Sequence, residues 1–362
     1  MVEGLLQHLQ ETELTFSVIK ILVLGAISFI TAILFTPLLT HFLYKHKLWK
    51  KTVREKSIDG KGMPVFQKFH GEEEIKTPRL GGLLIWTIPS ILAIIFFLLT
   101  EFDGTILQKL NFLSRSQTWL PLFGMVAASI VGLVDDLLQV RNKGHYIGGG
   151  LSLKYRLISI FLIGLIGGWW FYSKLGWTSL HIPGNGDLVI GAWYIPFFIF
   201  VMMAVYAGGV IDGLDGLAGS SFSTIFGAFA IIALFRGQID LAAFCTVVAG
   251  TILAFLWFNI PPARFYMGES GTMGLCVALT MVAFLTDSIL VLPIIAILLV
   301  AEAGSVIIQQ LSKKFFKRKV FLAAPIHYHF EAKGWPHYKV TMRFWVIGLV
   351  AAIVGVAIRL LG

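Results

Sequence analysis

A chain of 362 residues that is 57% hydrophobic and 14% charged, with a mean hydropathy of +0.81, carries more apolar side chain than one water-soluble core can bury. Long soluble domains are excluded, and a polytopic membrane protein is left. The net charge of +9 does not point to nucleic acid: the basic residues gather in loops between apolar runs, as in cytoplasmic loops facing anionic lipid, and no nucleic-acid motif occurs.

The first residues, 1–13, are polar and acidic, without a basic segment ahead of a short apolar stretch, so no cleaved signal peptide is expected. Runs near the ~20 residues that a bilayer demands follow at 17–44, 81–100, 119–138, 153–172, 192–211, 217–235, 240–258, 271–285, 287–311 and 341–361. They predict an all-α polytopic membrane protein of about ten transmembrane helices. With no internal repeat and no low-complexity stretch, residues 1–362 form a single integral membrane domain. The segment from Lys45 to Arg79 holds ten Lys and Arg, and that from Lys313 to Arg343 holds eight. The alternate loops offer only Lys109 and Arg115, Lys174, and Arg236. The positive-inside rule then puts both termini on the extracytoplasmic side. Cys245 and Cys276 lie inside apolar runs and read as buried small hydrophobes.

On this topology the loops after the first, third, fifth, seventh and ninth runs share the cytoplasmic face, and they hold most of the chain's chemistry. Carboxylates beside a bilayer are costly and mark functional sites. Asp135-Asp136 ends the third run; neighbouring helical residues point about 100° apart, so one carboxylate can face a metal while the other holds a lysine or serves as a second ligand. Such a pair at a helix C-terminus opposes the helix dipole. Lys154 and Arg156, at the start of the fourth run, either clamp a lipid phosphate or anchor the helix. In Asp212-Gly-Leu-Asp215-Gly-Leu-Ala-Gly219 the i, i+3 spacing puts two carboxylates on one face of a helical turn, and the glycines admit a ligand close to the backbone. Between Trp257 and Gly271, Asn259 offers an amide to a base or a phosphate and Glu269 a hard oxygen suited to Mg²⁺. In the last loop His327-Tyr-His329, with Glu331, offers zinc ligands, but the carboxylates elsewhere and the lack of a neighbouring Cys favour histidines that contact phosphate or substrate. Clusters converging on one face predict a metal-dependent site for a phosphate-bearing substrate.

Together these motifs resemble the phospho-N-acetylmuramoyl-pentapeptide transferase (translocase I) family, within the polyprenyl-phosphate N-acetylhexosamine-1-phosphate transferases. The resemblance runs over nearly the whole chain: Thr77-Pro through Gly81-Gly82, the Asp pair, Asp-Gly-Leu-Asp-Gly-Leu-Ala, Phe255-Leu-Trp-Phe-Asn259, Met267-Gly-Glu-Ser-Gly271 and, most specific, Ala324-Pro-Ile-His-Tyr-His-Phe-Glu-Ala-Lys-Gly-Trp-Pro336. It implies transfer of phospho-MurNAc-pentapeptide from UDP-MurNAc-pentapeptide to undecaprenyl phosphate, giving lipid I and UMP, with Mg²⁺ required, in the bacterial cytoplasmic (inner) membrane. A homodimer is known in the family. By matched position Asp135, Asp136 and Glu269 fall on its catalytic acids, Asp212, Asp215 and Asn259 on its nucleotide and metal-proximal positions, and His327 on the first histidine of its triple-histidine motif. The expected site is thus Asp135, Asp136, Glu269 and His327 for catalysis, Asp212, Asp215, Asn259, Tyr266, His329, Lys154 and Arg156 for substrate, and Glu269, Asp212 and Asp136 for metal.

The chain departs from the family pattern at Glu269, usually Asp; at Tyr328, usually the middle histidine; at Gly209 and Ile211, usually Asn and Thr; at Gln139, usually Lys; and at Arg79-Leu80, usually Thr-Met. Three other readings compete: a sister transferase using UDP-GlcNAc, a relative that only binds lipid or nucleotide, and a transporter with intramembrane carboxylates. The histidine loop disfavours the first, and acid clusters at run ends on one side, with no visible repeat, disfavour the last.

Overall fold

The computed structural model describes residues 2–53, 73–101, 106–144 and 149–362, with 67 and 71 isolated among them. Residues 54–66 of the basic loop, and Gly148 of the glycine run before Lys154, lie outside the described residues. The fold is a helix bundle: α1 (Val2–Lys45), α2 (Gly82–Leu98), α3 (Trp119–Val140), α4 (Leu153–Ser173), α5 (Tyr194–Gly208), α6 (Leu217–Phe235), α7 (Ile239–Asn259), α8 (Glu269–Leu285), α9 (Ile297–Phe315), α10 (Ile326–Ala332) and α11 (His337–Leu361). Among the described residues, seven helices are long and apolar enough to cross a membrane, and α2 and α8 are shorter apolar helices.

Helix α8 is the axle of the bundle. Every residue from Ser270 to Leu285 is buried, so it is apolar or small all round and has no solvent face. It packs most extensively on α3, where small residues let the backbones meet: a methyl group added at Gly132 would strike the backbone of Glu269, and one at Gly274 the hydroxyl of Ser129. The α1–α7 contact is built the same way, with Gly250 against the Gly25 carbonyl and the Ser28 hydroxyl donating to the Val247 carbonyl at 2.6 Å.

Two expectations are corrected. The apolar run at 287–311 is not one helix. A turn over Leu292–Ile295, with Pro293 in its first turn, ends at Ala296, and α9 starts after it. The buried face of α9 is Leu298, Glu302, Ser305, Gln309 and Ser312, so this helix turns a polar stripe inward. The fold also contains a β-hairpin, β1 (Ser179–Ile182) paired antiparallel with β2 (Gly186–Val189), between α4 and α5. Its turn is Pro183-Gly184-Asn185, and Gly184 and Gly186 take positive φ.

Candidate active site

The loop 260–268 between α7 and α8 is fastened on several sides. Along one, the Tyr266 N–H donates to the Pro78 carbonyl at 2.8 Å, Gly81 N–H to the Tyr266 carbonyl at 2.9 Å, and Gly82 N–H to the Met267 carbonyl at 2.8 Å. Along the others, side chains from the ends of three helices hold it. Asp215 accepts from Ala263 N–H (2.9 Å) and Asp212 from Gly268 N–H (3.1 Å). Asn259 accepts from Gly216 N–H and donates to the Phe265 carbonyl, both at 2.9 Å. Asp136 accepts from Glu269 N–H at 3.1 Å on one oxygen and from Ser270 N–H at 2.9 Å on the other.

The last two N–H groups belong to the first turn of α8, where a helix has no internal partners for its donors and carries positive partial charge. Asp136, fully buried, caps that end from a neighbouring helix. The approach needs glycine at 268, which has φ 71° and where a Cβ would stand 2.5 and 2.8 Å from the two Asp136 oxygens.

Asp135 points away from Asp136, as adjacent helical residues must. It accepts from Leu151 N–H at 2.5 Å and from Gln139 Nε2 at 2.7 Å, and lies 3.9 Å from Arg156. Arg156 is buried and forms a direct ion pair with Glu269, so one guanidinium joins two of the predicted catalytic acids. Lys154 stays exposed at the start of α4 and makes no hydrogen bond or ion pair with the cluster. The expected helical turn over Asp212 and Asp215 is corrected: Asp212 follows the 3-10 turn Gly209–Ile211 with ψ 53°, and α6 starts only at Leu217. The two aspartates grip opposite ends of the 260–268 loop instead. Burial pushes the Asp212 carboxyl up to about 6, against the opposing pull of Arg79 and of the Gly268 N–H. Burial, together with Asp215, also pushes the Tyr266 phenol up.

His327 closes the site from α10. Its Nδ1 lies 2.8 Å from Glu302 Oε2, and both residues have no exposed surface. An ionised carboxylate only accepts, so the Nδ1 proton faces Glu302 and Nε2 is turned elsewhere. That nitrogen has no hydrogen-bond partner and packs on Gly213, where a Cβ would stand 2.7 Å from Cε1. The Tyr328 hydroxyl donates to the Gly213 carbonyl at 3.3 Å. His329 accepts from Leu322 N–H at 3.1 Å, and burial and Lys333 lower its pKa. The two histidines face different partners and do not form a zinc pair.

Three residues of this site were not predicted. Glu302 was legible as a lone carboxylate inside an apolar run. Arg79 and Gln139 carried no such signal, and both are departures from the family pattern. They touch: Arg79 donates to Gln139 Oε1 at 2.9 Å, and Gln139 donates in turn to Asp135.

For a metal, the donors are hard carboxylate oxygens around one loop. Asp136, Asp212 and Glu269 do not bring an oxygen each within 4.8 Å of one another; among the described residues the group that meets that limit is His181, Asp187 and Asp287, at the hairpin. The carboxylates therefore do not form a closed protein cage. They fit Mg²⁺, which binds through one or two carboxylates, keeps waters and takes substrate phosphate oxygens.

Residues 118–287 match the model of glycosyl transferase family 4. The chain is 34% identical over 345 residues to the phospho-N-acetylmuramoyl-pentapeptide-transferase of Geobacillus sp. (strain WCH70), covering 94% of this chain and 98% of that one. To the protein of the same name from Chloroflexus aggregans it is 32% identical over 359 residues, covering 94% and 90%. To that from Pelagibacter ubique it is 34% identical over 309 residues, covering 80% and 81%.

Proposed function

The chain belongs to the phospho-N-acetylmuramoyl-pentapeptide-transferase family, and we propose that it transfers phospho-MurNAc-pentapeptide from UDP-MurNAc-pentapeptide to undecaprenyl phosphate, giving lipid I and UMP. The observation that carries this reading is the meeting of Asp135, Asp136, Asp212, Asp215 and Glu269, from separate helix ends, with Arg156, Arg79 and the His327–Glu302 pair around one loop.

The reaction balances without water. An oxygen of the lipid phosphate forms a bond to the sugar-linked phosphorus of the donor, the bridging P–O bond breaks, and UMP leaves with the bridging oxygen. Phosphoryl transfer asks mainly for positioning and charge neutralisation. Asp136 and Asp212 fix the first turn of α8 and so the place of Glu269. Asp215 and Asn259 fix the other end of the loop and Tyr266 within it. Asn259 has both ends of its amide on backbone, and its contribution to nucleotide binding runs through that loop. Arg156 holds Glu269 and Asp135 at a set separation, His327 presents Nε2 against Gly213, next in the chain to Asp212, and Lys154 and His329 would contact substrate. Mg²⁺, held by one or two of Asp136, Asp212 and Glu269 with the rest of its shell from substrate and water, would neutralise the diphosphate and stabilise UMP as a leaving group.

The same reading has the chain crossing a bacterial cytoplasmic membrane ten times as one domain, both termini outside, with a second copy of the chain as partner. The ten Lys and Arg in the sequence of 45–79 and the eight in that of 313–343 support this orientation.

With purified protein in detergent, UMP release from UDP-MurNAc-pentapeptide is expected to need Mg²⁺ and to fall to background in EDTA, with UDP-GlcNAc inert. Release from UDP-GlcNAc alone would move the chain to the sister transferases.

A further inference from the structure

We propose that Arg79 is a phosphate-binding residue of this site, its guanidinium held by Gln139 and offered to a non-bridging oxygen of a substrate phosphoryl group; the proposal rests on the transferase reading.

The first ground is charge. A phosphate entering this site meets five carboxylates, and each repels it unless a cation intervenes. Arg156 is already committed to Glu269 and lies 3.9 Å from Asp135. Lys154 is exposed, at the start of α4. Arg79 sits differently. Its hydrogen bond within the site goes to a neutral acceptor, Gln139 Oε1, and the carboxylate beside it, Glu74, is 4.0 Å away and joined to Lys50 at 2.7 Å. Its positive charge is therefore only partly spent on the protein.

The second ground is an unmet donor. Arg79 Nε is buried and, among the described residues, has no hydrogen-bond partner. A guanidinium carries five donors in a fixed plane, and leaving one buried and unpaired is costly. A phosphate oxygen, which guanidinium binds by paired N–H groups, meets that need.

The third ground is rigidity. The Arg79 N–H donates to the Leu48 carbonyl at 2.9 Å, and the flanking residues Pro78, Gly81 and Gly82 bond to Tyr266 and Met267. At the other end, Gln139 is held by Asp135. The guanidinium is thus fixed between the segment that enters α2 and the end of α3, within the carboxylate cluster.

The lipid phosphate and the nucleotide diphosphate offer the same oxygen chemistry, so the experiment varies each substrate separately. In full-length protein Arg79→Gln is expected to raise KM for one of the two on the order of 10- to 100-fold. Arg79→Lys, which keeps the charge and loses the fork, is expected to fall between. Exchanging the pair, Arg79→Gln with Gln139→Arg, returns a guanidinium to the same contact and is expected to recover part of the loss, which a merely misfolded variant cannot do. The substrate whose KM rises identifies the phosphate. A fall in kcat with both KM values unchanged, or no recovery in the exchanged pair, would overturn the proposal. If wild-type protein transfers nothing, the transferase reading fails. Arg79 is then judged by calorimetric binding of UDP and of undecaprenyl phosphate to wild type and Arg79→Gln, where equal affinities for both ligands would refute it.

Discussion

Asp136→Ala is expected to abolish transfer and to loosen the fold together, because one carboxylate does both tasks. Its two oxygens accept the Glu269 and Ser270 N–H groups at the start of a helix buried on all sides. Removing it leaves two buried donors unpaired, at about 1–3 kcal/mol each. The thermal midpoint in detergent should drop clearly. UMP release should fall at least on the order of 10²–10³-fold, the effect of removing one preorganised electrostatic contact. Asp136→Asn separates the tasks: its amide oxygen still accepts one of the two N–H groups, so most stability should return while activity stays low. Wild-type melting in Asp136→Ala would show that the cap holds nothing.

The second large effect is expected at Glu302, which lies on α9 and inside the bundle. Removing one partner of a buried hydrogen bond leaves the other unsatisfied, at about 1–3 kcal/mol, so both Glu302→Ala and His327→Ala should destabilise the protein. His327→Ala should be the worse, since it leaves a carboxylate buried without its partner. Glu302→Gln keeps the shape and an acceptor for the Nδ1 proton. It should fold normally yet lose roughly 10²-fold in kcat, because the buried charge that orients and polarises the imidazole is gone. Normal turnover in a well-folded Glu302→Gln would reduce Glu302 to a packing residue.

Much of this was legible in the residues. Apolar length locates most of the helices, and the alternation of basic and poor loops gathers the carboxylates to one end before any contact is known. What failed was local. Pro293 breaks an apolar run that length alone reads as continuous. Asp212 and Asp215 lie in a turn that ends at Gly216, with φ 76°, before α6 begins, so the one helical face that the i, i+3 spacing suggested is not there. The hairpin at 179–189 is too short for alternation to stand out from the surrounding apolar runs. In the site the acids that meet around the loop were identifiable by type and place, but their partners were not. Which cation serves which carboxylate depends on helix ends that are distant in the chain, as Arg156 and Glu269 are. Arg79 and Gln139 read singly as two departures; only their contact shows a cation brought to the site from a different segment. Asn259 shows the converse, an amide whose type suggested a ligand and whose contacts are backbone.

The central claim is that carboxylates pinned to the 260–268 loop carry out phosphoryl transfer. It is tested most directly at Asp212, by following UMP release and lipid I formation in wild type beside Asp212→Asn. The amide can still accept from Gly268 N–H, so the loop should stay in place and the melting midpoint should hold. Wild type should release one UMP per lipid I in the presence of Mg²⁺, and Asp212→Asn should lose on the order of 10²-fold or more. Transfer at the wild-type rate by a fully folded Asp212→Asn would contradict the account.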